Sequence, residues 1–107
     1  MFAKCYYVIL NVISKRGLKM LLEGKAADVV TETLAWYKTA RSGRWEKLED
    51  VRKEYPSVDQ VGNVLIFDIR HNRYRLIARV TFEKQKLYVK ALLTHKEYGR
   101  EEWKKWV

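Results

Sequence analysis

Between Val61 and Tyr98 the chain reads VGNVLIFDIRHNRYRLIARVTFEKQKLYVKALLTHKEY, three strand-like runs joined by two short polar turns. The middle run alternates without a break. Tyr74, Leu76, Ala78, Val80 and Phe82 fall on one parity, and Arg73, Arg75, Ile77, Arg79 and Thr81 on the other. Successive side chains of a strand point to opposite faces, so one face of the sheet is apolar and the other carries guanidinium groups. The apolar face requires a cover, which the preceding residues must supply. The basic face is expected to stay open and to carry the function.

The turns test this pattern. If His71 and Asn72 form a two-residue hairpin loop, Asn tolerating positive φ, then Arg70 pairs with Arg73, Ile69 with Tyr74, Asp68 with Arg75 and Phe67 with Leu76. A second turn at Lys84-Gln85 sets Phe82 opposite Leu87, Val80 opposite Val89, Arg79 opposite Lys90 and Arg73 opposite Lys96. Arg70, Arg73, Arg79, Lys90 and Lys96 then crowd one face. Like charges directly opposite each other destabilise a sheet, so the crowding points to an anionic partner. A solvated face whose long side chains splay apart is the plain alternative.

The residues before the sheet read as helices. Ser14 suits the cap of a helix over Lys15–Glu23, carrying Leu18, Leu21 and Leu22 and stopped by Gly24. Asp28 can cap a second helix with Val30, Leu34, Tyr37 and Ala40 at helical spacing, ended by Ser42-Gly43. A third spans Trp45 to Glu54, with Leu48, Val51 and Tyr55 on one side and Pro56 closing it. Ser57 to Asn63 then forms a linker. Phe2 to Ile13 is the most apolar stretch, and its residue types favour a strand. It is too short and too interrupted, by Lys4 and Asn11, to cross a bilayer as a helix, and it lacks the features of a signal peptide. Val12 and Ile13 suffice for an edge strand. Met1 to Leu10 is left as an extra strand, a contact surface or the product of an upstream start codon.

At 107 residues the chain is expected to be one domain, residues 1–107, with a single core. A formal net charge of +9 favours phosphate-bearing or acidic partners. The one cysteine, Cys5, excludes an internal disulfide and fits a reducing cytoplasm. With Cys5, His71 and His95 the only residues of their kinds, neither a zinc site nor any other metal or cofactor is expected. Of the four tryptophans, Trp36 reads as core. Trp45, near Arg41 and Arg44, reads either as a base-stacking ring or as one packed on its own sheet. Trp103 and Trp106 form a docking stripe on a short terminal helix.

No Gly-rich phosphate loop, GxSxG or HExxH is present, and Cys5 has no neighbouring base. What remains is the basic face ending in Thr94-His95-Lys96-Glu97-Tyr98. Those residue types suit metal-free cleavage of RNA, in which a base frees the 2′-hydroxyl to attack the adjacent phosphorus. A histidine titrating near neutrality serves as base or acid, guanidiniums stabilise the crowded anion, and a tyrosine donates a proton or stacks on a base. A single histidine at a strand end is, on residue type alone, more often structural.

The segments GNVLIFDIRHNRYRLIARV and LLTHKEY resemble the HigB family of bacterial toxins, within the RelE-like group of messenger-RNA interferases. The likeness runs from about Asn11 to the end of the chain and includes NVISKRGLK, WYKTARSGRW and YPSVDQVGN. The resemblance implies an α+β domain: two to three N-terminal helices on a curved antiparallel sheet of three to four strands, with a short C-terminal helix. It also implies cleavage of translated messenger RNA on the ribosome, and restraint by a co-encoded, HigA-like helix-turn-helix antitoxin. The family's YRL arginine falls on Arg75, its neighbouring basic position on Arg73, and its THxEY residues on Thr94, His95, Glu97 and Tyr98. His95, Arg75, Arg73 and Tyr98 are therefore the expected catalytic set, with Arg70, His71, Arg79, Lys90 and Lys96 as RNA contacts. Gly99 stands where an acidic residue commonly follows THxEY, and the lysines of the RelE branch fall on Ile66 and Asp68. Two other classes fit the same scaffold, a non-catalytic RNA- or ribosome-binding module and a protein-interaction domain with an acidic partner.

The expected register raises one conflict. Counted from a two-residue turn at Lys84-Gln85, His95 falls opposite Tyr74 on the helix-packed parity, while Lys96 falls beside Arg73. A one-residue bulge, or a strand ending at Thr94, brings His95 round to the arginines instead.

Overall fold

The computed structural model describes residues 11–13, 15–70 and 73–107; Met1–Leu10, the Ser14 cap and the His71-Asn72 loop lie outside the described residues. The elements run β1 (Asn11–Ile13), α1 (Lys15–Leu21), α2 (Ala27–Ser42), α3 (Leu48–Glu54), β2 (Asp59–Val61), β3 (Val64–Ile69), β4 (Tyr74–Thr81), β5 (Lys86–Thr94) and α4 (His95–Gly99), followed by a 3-10 helix at Glu102–Trp106. The strands form a five-stranded sheet in the order β1-β5-β4-β3-β2. Neighbours are antiparallel except β1, which lies parallel to β5. The architecture is α+β, as expected, with a wider sheet. The linker contributes β2, and Asn11–Ile13 adds the parallel edge.

The helices begin and end where local chemistry directs. Gly24, at φ 77°, occupies a left-handed turn after α1. Asp28 is not the cap of α2. Ala26 holds that position, and Asp28 sits in the first turn, where its Oδ1 accepts from the backbone of Val29 at 2.8 Å. The third helix starts later than Trp45 because that side chain leaves for the core: Trp45 is buried and stacks on Phe67, with centroids 6.1 Å apart. The base-stacking reading of Trp45 is thereby excluded. Trp36 and Tyr55 meet the same ring edge-on at 5.2 and 5.3 Å. Such pairs each add about 0.5–1.5 kcal/mol beyond area burial, so Phe67 fastens α2, α3 and the Trp45 loop to the sheet.

On α2 the buried face is Val29, Thr33, Trp36 and Ala40, one position away from the expected Val30, Leu34 and Tyr37 stripe. Val30, Leu34 and Tyr37 instead line an open apolar groove of about 770 Å³ with Leu18 of α1 and Leu22 just after it. Two apolar stripes share this helix, and the larger ring, Trp36, takes the sheet side.

The β3–β4 register is the expected one, from Phe67–Leu76 through Asp68–Arg75 to Ile69–Tyr74. The β4–β5 register is not. The connecting turn holds four residues, Phe82 to Gln85, with Gln85 at φ 52° and its N–H donating to the Phe82 carbonyl at 3.0 Å. Gln85 is also buried, and its side-chain amide donates to the carbonyls of Trp45 and Phe82. These bonds fix the turn and slide β5 along β4. Val80 therefore faces Leu87, Arg79 faces Tyr88 and Ala78 faces Val89. A bulge follows: the next pair is Ile77–Ala91, so Lys90 is the extra residue.

The second face of the sheet is not open throughout. Val64, Ile66, Ile77 and Ala91 form a smaller core there with Trp103, which is 3% exposed, and Trp106 packs against the same cluster. The chain end reaches the β2–β3 turn, where a Cβ on Gly62 would come 2.6 Å from Val107 Cγ1. The C-terminal segment thus crosses the basic face as a strap, anchored by the docking stripe expected of Trp103 and Trp106. Trp103→Ala should lower unfolding free energy by about 3–5 kcal/mol, the usual cost of deleting a buried tryptophan, measured as a drop in the urea midpoint. Trp103→Phe should lose much less. A loss below about 1 kcal/mol for the alanine variant would mean that the strap does not hold this face.

Candidate functional site at the end of the sheet

Three chain segments converge where β3 ends, β4 begins and β5 ends. Thr94 closes β5 and pairs with Tyr74, and the chain turns at once into α4, so His95 is the first helical residue and not a strand residue. Both devices that would free His95 from the helix-packed parity are present, the bulge at Lys90 and the strand end at Thr94. The turn is specified locally. Thr94 accepts from the Glu97 backbone at 3.1 Å, and the Glu97 carboxylate accepts from the Thr94 backbone at 2.9 Å, a reciprocal capping box. That backbone hydrogen bond from Thr94 is the main reason the Glu97 carboxyl titrates below its ordinary range. Its folded value is depressed, so its contribution to α4 is fully present at neutral pH and lost only as acid protonates it.

α4 directs Tyr98 back over the sheet. Its ring stacks flat on Trp103, centroids 5.2 Å apart and 3° from parallel, and the Trp103 indole N–H donates to the Tyr98 carbonyl at 3.1 Å. The Arg75 guanidinium lies 5.1 Å from the centroid of the same ring. Across the hairpin, Arg75 Nε meets Asp68 Oδ1 at 3.2 Å, with the two side chains 14% and 25% exposed. Arg75 and Tyr98 are therefore brought together, with His95 exposed three residues before Tyr98.

The other expected cations divide into groups. Arg70, in the left-handed region at φ 54°, and Arg73 are drawn to the start of α2, not toward Arg75. Arg70 pairs with Asp28 at 3.2 Å and Glu32 at 3.6 Å, and its backbone N–H donates to Glu32 at 2.7 Å. Arg73 reaches the same Asp28 oxygen at 3.4 Å. Arg79 and Lys90 lie farther along the sheet in a groove of about 560 Å³. They do not face each other as expected, because Arg79 pairs with Tyr88 and Lys90 is the bulged residue. Lys96 is exposed on α4, so its expected strand pairing with Arg73 does not form. His71 lies outside the described residues. The sequence alone marks Asp28 only as a helix cap and assigns Glu32 no role, though their four-residue spacing on one helix face is visible there.

Chemically, this end of the sheet offers an exposed imidazole, a guanidinium beside a phenol, and flanking cations, a set able to bind a phosphodiester and move protons around it. Among the described residues, no group of three or more His, Cys, Asp or Glu is arranged to hold a metal ion, and no helix is long and apolar enough to cross a membrane.

Comparison with known proteins gives the family. The family model described as a HigB toxin, the RelE-like toxic component of a toxin–antitoxin system, matches residues 30–101. The match contains Arg75, His95 and Tyr98 but stops short of Trp103. The mRNA interferase toxin HigB of Escherichia coli strain K12 is 33% identical over 92 residues, covering 83% of this chain and 88% of that protein. The mRNA interferases HigB of Escherichia coli O157:H7 and Shigella flexneri match with the same identity and coverage.

Asp68 has a measurable consequence here. Asp68→Asn removes one negative charge from beside Arg75 and should raise affinity for a non-specific RNA oligonucleotide severalfold. Because the pair is largely buried, the same change should lower stability by about 1–2 kcal/mol, less than the 3–5 kcal/mol for breaking a fully buried pair. Fluorescence anisotropy and chemical denaturation read the two effects. Unchanged RNA affinity in a folded variant would mean that Asp68 does not restrain the Arg75 charge.

Proposed function

The chain belongs to the HigB family, the RelE-like toxic component of toxin–antitoxin systems, and on that premise we propose that it is an endoribonuclease cutting messenger RNA as it is translated. The partner implied by the family is an antitoxin. We assign to it a HigA-like helix-turn-helix protein, and to the toxin a cytoplasmic site of action on the ribosome, within a single domain over residues 1–107.

In the proposed reaction the 2′-hydroxyl of the nucleotide before the scissile bond loses its proton to His95. The freed oxygen attacks the adjacent phosphorus, the new 2′-O–P bond forms, and the P–O5′ bond breaks. Arg75 neutralises the charge that builds on the non-bridging oxygens. Tyr98 supplies the proton that the departing 5′-oxygen takes, its ring held by Trp103. Arg73 is the second cation at the phosphate, exchanging its exposed contact with Asp28 for the substrate. Such a pair is worth only about 0–1 kcal/mol, so the exchange costs little. Arg70 and His71, with Lys96 on α4, guide the incoming strand. The step as written needs no metal ion.

One observation supports this reading above the others: β5 ends at Thr94, so that α4 sets Tyr98 against Arg75 and leaves His95 exposed at the same end of the sheet. A binding-only module needs the cations but not His95. His95→Gln should therefore abolish cleavage in a translating extract, mapped by primer extension, by at least about a hundredfold, the low end for losing a general base. Because His95 is exposed, its melting temperature should match wild type and the antitoxin should still bind. A variant that still cleaves and remains toxic would remove His95 from the mechanism and shift the proton transfers to Tyr98 and Lys96.

A further inference from the structure

The strap formed by Trp103 and Val107 divides the basic face, and the part it leaves on the far side is a built groove. Arg79 and Thr81 of β4, Tyr88 and Lys90 of β5, Gln60 of β2 and Asn63 from the β2–β3 turn line it, together with Glu83. Arg79 lies four residues along β4 from Arg75, roughly 13 Å at the rise of a strand. The two ends of the face differ in their electrostatics. Arg70, Arg73 and Arg75 each meet a carboxylate at 3.2 to 3.6 Å. Among the described residues, neither Arg79 nor Lys90 has an ion-pair partner; Lys90 lies 5.7 Å from the Tyr88 ring centroid.

Lys90 shares this groove with Tyr88, two residues before it on the same face of β5, and as the bulged residue it has no partner on β4. Val89 and Leu92 pack in the helix-side core and Ala91 in the strap-side core, so Lys90 and Ala91 are consecutive residues on one face. An unbroken strand would not place both there. The bulge turns Ala91 onto the same face, and Lys90 adds a second cation beside Arg79 and the Tyr88 ring. An aromatic face flanked by unpaired cations and by side-chain amides matches a nucleotide, with base on ring and phosphate on cations. An acidic peptide would use the cations alone.

We infer that the Arg79–Tyr88–Lys90 groove is a second nucleotide subsite, separate from the scissile phosphate, that holds a single-stranded stretch of the RNA by base stacking on Tyr88 and phosphate contact with Arg79 and Lys90. The inference rests on the RNA-cleaving reading above and adds to it a binding step remote from the chemistry. Arg79 and Lys90 supply the salt-dependent share of affinity, and Tyr88 the salt-independent share.

The full-length protein with a fluorescent 2′-O-methyl oligoribonucleotide, which lacks the attacking hydroxyl and is not cut, tests this. Arg79→Gln and Lys90→Gln should each weaken binding and lower the slope of log affinity against log salt by about 0.7, the value for one single-strand phosphate. Tyr88→Leu should weaken binding about tenfold with an unchanged slope, and Tyr88→Phe should restore it, since stacking needs the ring and not the hydroxyl. If wild type binds and all these variants, folded by their melting temperatures, bind equally well, the subsite is refuted while the RNA-cleaving reading stands. The same refutation follows if the variants weaken the antitoxin complex and leave RNA affinity intact. If wild type neither binds nor cleaves RNA, both readings fall together.

Discussion

Everything in this molecule depends on the pleat of β4, which is packed on both sides. Leu76, Ala78 and Val80 enter the helix-side core, while Ile77 enters the strap-side core with Trp103. A strand buried on both faces tolerates no slip, because a shift of one residue would exchange the two sets. That fixed strand is the reference from which the arginines are distributed. Arg75 lies on one side of the strap and Arg79 on the other, and neither can move without unpacking Ile77 between them. The basic surface is consequently two sites and not one plane.

Charge compensation separates those sites. The clustered cations would repel one another if left alone. At the end bearing His95 the repulsion is relieved internally: Asp68 meets Arg75, while Asp28 and Glu32 meet Arg70 and Arg73. A resting toxin with this arrangement keeps its guanidiniums aligned without an anion bound, and the exposed pairs exchange readily. Tyr98 is held differently, by ring contacts to Trp103 and Arg75. Its position therefore depends on the strap, which links the stability of the second core directly to the geometry of the proposed chemistry. Trp103 lies beyond residues 30–101, the part of the chain that the family model matches.

Local pattern carried a large part of this result. The alternation through Arg73 to Phe82, the β3–β4 register, the helices in order, the core role of Trp36 and the ion pair between Asp68 and Arg75 were all legible, because period-two burial and short hairpins are decided by neighbouring residues. The motifs GN, NRYRL and THKEY likewise identified the family. The β4–β5 register was not legible. It is set by Gln85, whose side-chain amide is satisfied by the carbonyl of Trp45, forty positions away, and no short window contains both partners. The loss of Arg70 and Arg73 to Asp28 and Glu32 is a contact between α2 and the hairpin end, again distant in sequence. The sequence by itself determined which residues alternate, the three long strands after Asn63 and which family the chain joins. Only the tertiary structure decided where β5 slides, that Lys90 bulges, and that the strap splits the basic face, since those outcomes follow from satisfying buried polar groups and filling the second core between segments far apart in the chain.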